Sequence, residues 1–251
     1  MSGFWNQAFD LTGRCAVITG GAAGIGLACA SLLAERGARV ALLDRDPAVV
    51  AVAARLGAEH LGIAVDLGQI GQIQPTIVHV FEHFQRLDYL INSAGIVLLD
   101  KAVDVSESAW DSTLDINLKA SFFVAQACAR HMLANGGGRI VNLASQAAVI
   151  GLDRHVAYCA SKAAIVGMTK VLAMEWAPQI NVNAISPTIV ETALGKKAWA
   201  GEVGEKAKLQ IPAGRFAQPE EIAGLALYLL SDAAQMITGA NMVIDGGYSI
   251  Q

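Results

Sequence analysis

The amino-acid sequence predicts one α/β domain, in which a doubly wound parallel sheet of about seven strands carries helices on both faces. Short apolar runs alternate with longer amphipathic stretches along all 251 residues. Such strand–helix repeats connect through right-handed crossovers into a parallel sheet. The runs Ala-Val-Ile at 16–18 and Tyr-Leu-Ile at 89–91 are apolar throughout, as strands covered on both faces require.

The predicted strands are the short apolar runs, at residues 14–19, 38–44, 60–66, 87–92, 138–144, 180–185 and 241–244. The predicted helices are the amphipathic stretches between them, at residues 24–36, 47–56, 69–85, 106–134, 156–176 and 219–230. Ser106 and Glu107 supply cap chemistry for the longest helix, and Pro219 suits the first turn of the last one.

One stretch, residues 188–211, fits neither pattern. Its small and polar residues predict an irregular segment that covers a substrate rather than a core element. A chain of this length fills one such sheet and leaves little room for a second domain. Residues 1–251 are therefore predicted to form a single domain with a substrate lid at 188–211.

Composition excludes several classes of function. The net charge is −4 with scattered lysines and arginines, so no basic surface for nucleic acid is expected. The four cysteines and five histidines show no spacing typical of a disulfide framework or a metal site. The N-terminus lacks the pattern of a signal peptide, and no uncharged apolar run reaches membrane-spanning length. We expect a soluble, cytoplasmic protein with no bound metal.

A glycine-rich turn follows the first predicted strand. Gly20, Gly24 and Gly26 stand where this strand passes into a helix, a pattern that lets the backbone approach a pyrophosphate at the helix N-terminus. Asp44 ends the second strand, roughly 20 residues further on, where a carboxylate accepts the ribose hydroxyls. Because a carboxylate there repels the 2′-phosphate of NADP, the predicted cofactor is NAD. Arg45 could pair with that phosphate, although we interpret it as a solvated surface residue.

A second motif lies in the predicted helix 156–176. Tyr158 and Lys162 are at positions i and i+4, so both face one side of the helix. A tyrosine phenol titrates near ~10, and an ammonium beside it favours the phenolate. Ser145, just upstream, ends an apolar run. Together these residues predict proton transfer coupled to redox chemistry on a nicotinamide, carried out by a Rossmann-type domain.

The chain resembles the short-chain dehydrogenase/reductase family over essentially its whole length. The resemblance rests on Thr19, Gly20, Gly24, Ile25, Gly26, Asp66, Asn92-Ser93-Ala94-Gly95, Asn117, Ser145, Tyr158, Lys162 and Pro187. The family usually has Asn-Asn-Ala-Gly at 92–95 and Pro-Gly at 187–188. Thr188 does not freely adopt positive φ, which leaves the path of the following loop open.

The resemblance implies a role for each catalytic residue. Tyr158 would exchange a proton with the substrate oxygen, and Ser145 would orient that oxygen. Lys162 would bind the ribose and lower the pKa of Tyr158. Asn117, inside the long helix, would hold a water that links Lys162 to solvent. The expected cofactor site comprises Gly20, Gly24, Ile25, Gly26, Asp44, Asp66, Asn92, Ala94, Gly95, Tyr158, Lys162, Pro187 and Ile189.

The substrate is expected to be a secondary alcohol or its ketone, most similar to those of polyol and sugar-alcohol dehydrogenases. Gln146 and Asp153 offer polar contacts for hydroxyls beside Ser145 and Tyr158, whereas we interpret His155 as a surface group. The alternatives are a 3-oxoacyl-thioester reductase, whose usual NADPH conflicts with Asp44, and a catalytically silent nucleotide sensor. A serine hydrolase is disfavoured because no Gly-x-Ser-x-Gly elbow is present. The resemblance also implies a homotetramer.

Overall fold

The computed structural model describes residues 3–250, and the side chains of positions 6, 194 and 198 lie outside that description. Its strands are β1 (Cys15–Thr19), β2 (Arg39–Asp44), β3 (Leu61–Ala64), β4 (Tyr89–Asn92), β5 (Gly138–Leu143), β6 (Ile180–Pro187) and β7 (Asn241–Ile244). They form one sheet in the order β3-β2-β1-β4-β5-β6-β7, and all neighbouring pairs are parallel. The predicted seven-stranded, doubly wound sheet is confirmed.

The helices are α1 (Gly3–Ala8), α2 (Gly24–Glu35), α3 (Val49–Leu56), α4 (Ile73–Phe84), α5 (Glu107–Leu114), α6 (Ser121–Ala134), α7 (Val156–Glu175), α8 (Ala193–Ala198), α9 (Glu202–Leu209) and α10 (Pro219–Leu230). The predicted helix over 106–134 is present, with Ser106 as its N-cap and helical structure throughout 107–134, but it is not α-helical along its whole length. Residues Asp115–Ala120 form a π-helical segment between α5 and α6, and such segments are frequent at functional sites. The predicted lid at 188–211 is not irregular throughout, since it contains α8 and α9.

The two faces of the sheet carry separate apolar clusters. Ile18 packs with α2 and α10, whereas its neighbour Val17 packs with α4 and α6, and both are fully buried. Successive side chains of a strand point to opposite faces, so both faces of β1 are covered. This burial explains why the strand sequences are apolar at every position.

Helix α7 is long and apolar enough to cross a membrane, the one such helix in residues 3–250. Its buried side chains include Lys162, Ile165, Thr169 and Leu172, and it packs against β5 and β6. Packing against the sheet accounts for its apolar character. The same packing fixes Tyr158 and Lys162 relative to the ends of β5 and β6.

Candidate active site

A cavity of about 340 Å³ opens at the carboxyl ends of β1 and β4. The strand order reverses between these two strands, and ligands of doubly wound sheets bind at such a point. The cavity is lined by Gly20, Ala23, Gly24, Ile25, Gly26, Leu43, Asp44, Arg45, Val65, Asp66, Leu67, Ser93, Ala94, Gly95, Ile96, Ile116, Thr192 and Ala193. We call these residues the nucleotide cradle.

The glycine turn of the cradle has the geometry that its sequence predicts. Gly20 and Gly24 have φ values of 65° and 56°, in the left-handed region that favours glycine. A Cβ atom on Gly26 would collide with the carbonyl oxygen of Gly20. Helix α2 begins after Ala23 without a side-chain cap, so its first N–H groups face the cavity as donors for an anion.

Acidic side chains mark the far end of the cradle. Asp44 ends β2, and its two carboxylate oxygens accept hydrogen bonds from the N–H groups of Ala22 (3.1 Å) and Asp46 (3.0 Å). The carboxylate is thus fixed at the cavity wall beside the glycine turn. Arg45 also lines the cavity and is exposed. Asp66 lies two residues beyond β3 rather than within it, where its Oδ1 accepts from the Gly68 N–H at 3.0 Å.

Five residues expected to contact the cofactor lie outside the cradle lining: Tyr158 and Lys162, which are described below, and Asn92, Pro187 and Ile189. Asn92 is buried, and its amide donates to the Ser121 carbonyl (3.0 Å) and to Asn142 Oδ1 (2.9 Å). Pro187 ends β6, and Ile189 packs against an apolar cluster that includes Phe216. The Asn92 amide therefore makes its hydrogen bonds within the protein and supports the cavity wall from behind.

Thr192 and Ala193 line the cradle and were missed by the sequence analysis. The Thr192 hydroxyl accepts from the Gly195 N–H at 3.0 Å and caps α8. A threonine three residues before a glycine occurs in many loop sequences. Only the prediction of a helix at 193–198 could have identified Thr192 as its N-cap. Its place in the cradle shows that the region predicted as a lid reaches the cofactor cavity.

The residues predicted to be catalytic lie close together; we call Asn117, Ser145, Tyr158 and Lys162 the catalytic cluster. Asn117, Ser145 and Lys162 are buried, and Tyr158 is half-buried. The Ser145 hydroxyl is close enough to Tyr158 to affect the pKa of the phenol, and its Oγ accepts from the Ala147 N–H at 3.2 Å. Burial raises the pKa of Tyr158, and the Ser145 hydrogen bond opposes this effect. Burial disfavours the charged phenolate because little water reaches it.

Lys162 lies beside Tyr158, and its ammonium is directed to the backbone. Its Nζ is 5.8 Å from the centre of the Tyr158 ring and donates to the Leu143 carbonyl at 2.6 Å. Burial lowers the pKa of Lys162 to about 8. Burial thus disfavours the charged form of both residues, and the effect of Lys162 on the pKa of Tyr158 stays a prediction.

Asn117 lies in the π-helical segment, and its side chain is fully engaged. Its Oδ1 accepts from the Ile96 N–H at 2.8 Å, and its Nδ2 donates to the Ile96 carbonyl and to Ser161 Oγ, each at 3.0 Å. A Cβ atom on Gly95 would lie 3.2 Å from Asn117 Oδ1 and 3.6 Å from Lys162 Nζ. Asn117 thus connects the loop after β4 to α7 and leaves no side-chain donor for a water.

The candidate substrate residues differ in burial. Gln146 is 5% exposed, and its Oε1 has no hydrogen-bond partner. Asp153 is exposed in the turn before α7, which removes it from the buried cluster. His155 is half-buried rather than a surface group. Its ring centre is 6.0 Å from that of Tyr158, and its Nδ1 contacts the Asp153 carbonyl at 2.6 Å.

The backbone at Thr188 shows the path of the loop that follows Pro187. Among the non-glycine residues that the structure describes, only Gln85 and Arg154 have positive φ, so Thr188 does not adopt the conformation that glycine would permit. Its N–H donates to the Ile244 carbonyl at 3.2 Å, which keeps it aligned with β7. The departure from Pro-Gly therefore leaves the end of β6 extended.

Comparison with known proteins agrees with this geometry. A family model described as enoyl-(acyl carrier protein) reductase matches residues 20–249. The chain is 55% identical to an NAD-dependent glycerol dehydrogenase of Listeria innocua over 98% of each chain. It is 51% identical to a D-threitol dehydrogenase of Mycolicibacterium smegmatis over 97% of this chain and 95% of that one.

A solved structure from Beutenbergia cavernae has the same fold, with a TM-score of 0.92 and 37% identity over 97% of this chain and 100% of that one. It is identified provisionally as an NAD(P)-dependent gluconate 5-dehydrogenase and contains NADP at low occupancy. The fold, the catalytic cluster and these similarities define a dinucleotide-dependent oxidoreductase. The chain belongs to the short-chain dehydrogenase/reductase family.

Proposed function

We propose that this protein is an NAD-dependent dehydrogenase that oxidises a secondary hydroxyl of a small polyol or sugar alcohol to a ketone. The observation that carries the proposal is the half-buried Tyr158 phenol, which lies beside the Ser145 hydroxyl and is flanked by Lys162. The activities of the two curated relatives, a glycerol and a threitol dehydrogenase, support this substrate class.

The nucleotide cradle fits a dinucleotide. A side chain on Gly26 would collide with the turn, so the backbone itself forms the wall against which a pyrophosphate fits. The uncapped N-terminus of α2 supplies N–H donors for that anion, and Asp44 is fixed where ribose hydroxyls would lie. A carboxylate there favours NAD over NADP. When bound, NAD accepts the hydride from the substrate carbon.

The catalytic cluster supplies the proton chemistry. Tyr158, as the phenolate, takes the proton of the substrate hydroxyl while the carbon loses a hydride, so the alcohol becomes a ketone. Ser145 holds the reacting oxygen next to Tyr158, and Lys162 binds the nicotinamide ribose. The proton then leaves towards solvent past Lys162 and Asn117. The side-chain amide of Asn117 already makes hydrogen bonds within the protein. Asn117 therefore contributes to a water relay by fixing the position of the π-helical segment.

The lid and the remaining predicted contacts complete the site. Helix α8 begins at the cradle through Thr192, so movement of residues 188–211 could open and close the cavity over a bound substrate. Pro187 and Ile189 position the start of this segment. Asp66 is close enough to the cradle to accept a hydrogen bond from an adenine amino group.

We further propose that the protein is a cytoplasmic homotetramer. All four cysteines are unpaired, as is usual in reducing compartments. Large apolar side chains are exposed on α5, α7 and β7, namely Trp110, Val171, Met174 and Val243, and such surfaces mark association sites. Sedimentation velocity at micromolar concentration should give a mass four times that of the 26.2 kDa chain, and a stable monomer would contradict this proposal.

A substrate screen tests the proposed function. Purified protein is assayed for NADH formation with sugar alcohols, glycerol and simple diols, with NAD and NADP side by side. We expect NAD reduction with at least one polyol and a much lower rate with NADP. If no polyol reduces NAD while a 3-oxoacyl thioester is reduced with NADPH, the reductase alternative replaces this proposal. A protein that binds NADH but turns over neither substrate class is a nucleotide sensor.

A further inference from the structure

A network of buried hydrogen bonds leaves helix α7 at one point and returns to it further along the same helix. Six polar residues form it, in the order Ser161, Asn117, Ser121, Asn92, Asn142 and Thr169. All six are buried, with exposed fractions between 0% and 7%. We call them the buried polar network. Burying polar groups costs free energy unless they are paired, and a paired network fixes one arrangement of the elements that it joins.

The first half of the network lies in the catalytic cluster. The Asn117 amide donates to Ser161 Oγ at 3.0 Å, and the Ser121 hydroxyl donates to the Asn117 carbonyl at 2.8 Å. The side chain of Asn117 is thus held by α7, and its backbone by α6. Ser161 directly precedes Lys162, so this half of the network joins the π-helical segment to the turn of α7 that carries Lys162.

The second half lies between the sheet and a later part of α7. The Asn92 amide at the end of β4 bonds the Ser121 carbonyl and Asn142 Oδ1, and the Asn142 amide donates to Thr169 Oγ1 at 3.0 Å. Thr169 follows Ser161 by roughly two turns, or about 12 Å along the helix axis. Both ends of the network hold α7 through a hydroxyl, but of these two ends it is Ser161 that contacts the catalytic cluster.

The Ser161 hydroxyl determines how the Asn117 amide is oriented. It donates its one hydrogen to the Tyr158 carbonyl at 2.8 Å, so its oxygen is left as an acceptor. Asn117 Nδ2 then has two acceptors, Ser161 Oγ and the Ile96 carbonyl. Its Oδ1 accepts from the Ile96 N–H at 2.8 Å. Rotating the amide by half a turn would set its oxygen against both acceptors, so the amide has one favourable orientation.

That orientation fixes the loop after β4 beside Lys162. Gly95 and Ile96 of this loop line the nucleotide cradle. A Cβ atom on Gly95 would lie within 3.6 Å of both Asn117 Oδ1 and Lys162 Nζ, so the Gly95 backbone lies against both groups. Ser161 itself is fully buried and lies outside the cradle lining. Its influence on the reaction therefore passes through the groups that it bonds.

We propose that Ser161 is a positioning residue for proton release, because its hydroxyl holds Asn117 where the loop after β4 lies against Lys162. The inference rests on the proposed function, in which the proton of the substrate leaves past Lys162 and Asn117. Without this hydroxyl, one Nδ2 hydrogen of Asn117 has no acceptor, and a buried donor without a partner is unfavourable. Asn117 then shifts towards another partner, and the proton path past Lys162 is disturbed.

The test is Ser161→Ala, which removes the hydroxyl with little change in volume. kcat with NAD and the best polyol should fall by about tenfold, the effect of one unpaired buried donor. NADH affinity should stay within about threefold of wild type, because the two hydrogen bonds between Asn117 and Ile96 still hold the cradle wall. The solvent deuterium isotope effect on kcat should rise, because proton release becomes slower relative to the other steps. A structural role alone would lower stability without changing that isotope effect.

Thr169→Val is the matched control at the other end of the network. Thr169 is on the same helix, is 1% exposed and accepts a comparable hydrogen bond from Asn142. The variant leaves the Asn142 amide unpaired, so it should lower the urea midpoint about as much as Ser161→Ala does. kcat and its isotope effect should remain those of wild type. If Thr169→Val changes both as Ser161→Ala does, Ser161 has no separate role and the inference is wrong.

A double-mutant cycle with Asn117→Ala tests whether Ser161 acts through Asn117. In Asn117→Ala the partner is gone, so adding Ser161→Ala should lower kcat by less than about twofold. A further loss of about tenfold, or wild-type kcat and isotope effect in Ser161→Ala alone, would overturn the inference. If Ser161→Ala does not fold, as judged by circular dichroism, Ser161→Cys decides by the same measurements, since its thiol is a weaker acceptor. No NAD reduction by the wild-type protein with any polyol contradicts the proposed function itself.

Discussion

The nucleotide cradle and the catalytic cluster are built by different means. The cradle is formed chiefly by backbone, in the glycine turn and the loops that follow β1 to β4. The catalytic cluster consists of side chains that hold one another inside the protein, with Lys162 only 5% exposed. The shape of the cradle depends on glycines, which lack a side chain. The chemistry of the catalytic cluster depends on how burial changes the pKa of its side chains. Each half should therefore fail in its own way when it is mutated.

The largest effect is expected in the catalytic cluster. Tyr158→Phe keeps the ring and removes the group that transfers the proton, so kcat should fall by ~10²–10⁴-fold. Tyr228→Phe on α10, which packs against the opposite face of the sheet, is the control and should retain wild-type kcat. Steady-state rates with NAD and the best polyol measure both. More than a tenth of wild-type kcat in Tyr158→Phe would remove the general-base assignment.

The cradle should respond to a single methyl group. Gly26→Ala places a Cβ against the Gly20 carbonyl oxygen, and overpacking of this kind typically costs about 1–3 kcal/mol. NADH affinity should fall by about tenfold to a hundredfold as the turn is displaced. Gly224→Ala on α10 meets no atom within 4 Å and should leave affinity unchanged while stabilising the fold slightly. Similar NADH affinities for the two variants would show that the turn tolerates a side chain.

Lys162 should show opposite effects on activity and stability. Its pKa falls from 10.5 to about 8 on folding, so the folded state disfavours the charged form. Between these two values the unfolded chain binds more protons, and stability contributed by this group rises with pH. Lys162→Met should therefore abolish turnover and weaken NADH binding, yet stabilise the fold at pH 7 by up to roughly 3 kcal/mol, less the lost hydrogen bond to Leu143.

Urea unfolding at pH 7 and pH 10 measures this difference, and the gain should shrink at the higher pH. Lys170→Met, at an exposed position of the same helix, should change stability little at either pH. If Lys162→Met destabilises the protein equally at both pH values, burial of the ammonium is not the dominant effect. If Lys162→Met loses activity but binds NADH as tightly as wild type, Lys162 does not bind the ribose.

The smallest expected effect concerns cofactor choice. Asp44→Asn removes the charge that repels a 2′-phosphate but keeps an oxygen that can accept hydrogen bonds from the backbone. The preference for NAD over NADP, measured as the ratio of kcat/KM, should narrow by about tenfold. Asp46→Asn, an exposed neighbour, controls for net charge. A wild-type protein that uses both cofactors equally would point to Arg45, which also lines the cradle.

The same contrast explains what the sequence could and could not predict. Gly20, Gly24, Gly26 and Asp44 line the cavity at the carboxyl edge of the sheet, where tight turns and strand ends leave local signals in the sequence. The spacing of Tyr158 and Lys162 likewise fixes their shared helix face. Asn92 was predicted to contact the cofactor, but its side chain is buried behind the cavity wall, since a polar residue at a strand end can support the wall as readily as it can contact a ligand. Its network with Ser121 and Asn142 is visible only in three dimensions.

The effect of burial on the pKa of Tyr158 could not be predicted from the sequence either. The spacing of Tyr158 and Lys162 suggests a lowered tyrosine pKa, but desolvation raises it, and the degree of desolvation is set by the whole fold. In the π-helical segment, the Asn117 side chain makes tertiary hydrogen bonds to Ile96 and Ser161. Helix periodicity alone predicted an uninterrupted helix there.

The most direct test of two separable halves is a fluorescence titration with NADH of Tyr158→Phe and Gly26→Ala side by side. The account predicts that Tyr158→Phe binds NADH within about threefold of wild type although it turns over almost no substrate. Gly26→Ala should bind NADH at least about tenfold more weakly. If Tyr158→Phe loses NADH affinity as severely as Gly26→Ala does, the cradle does not act independently of the catalytic cluster, and the central claim is wrong.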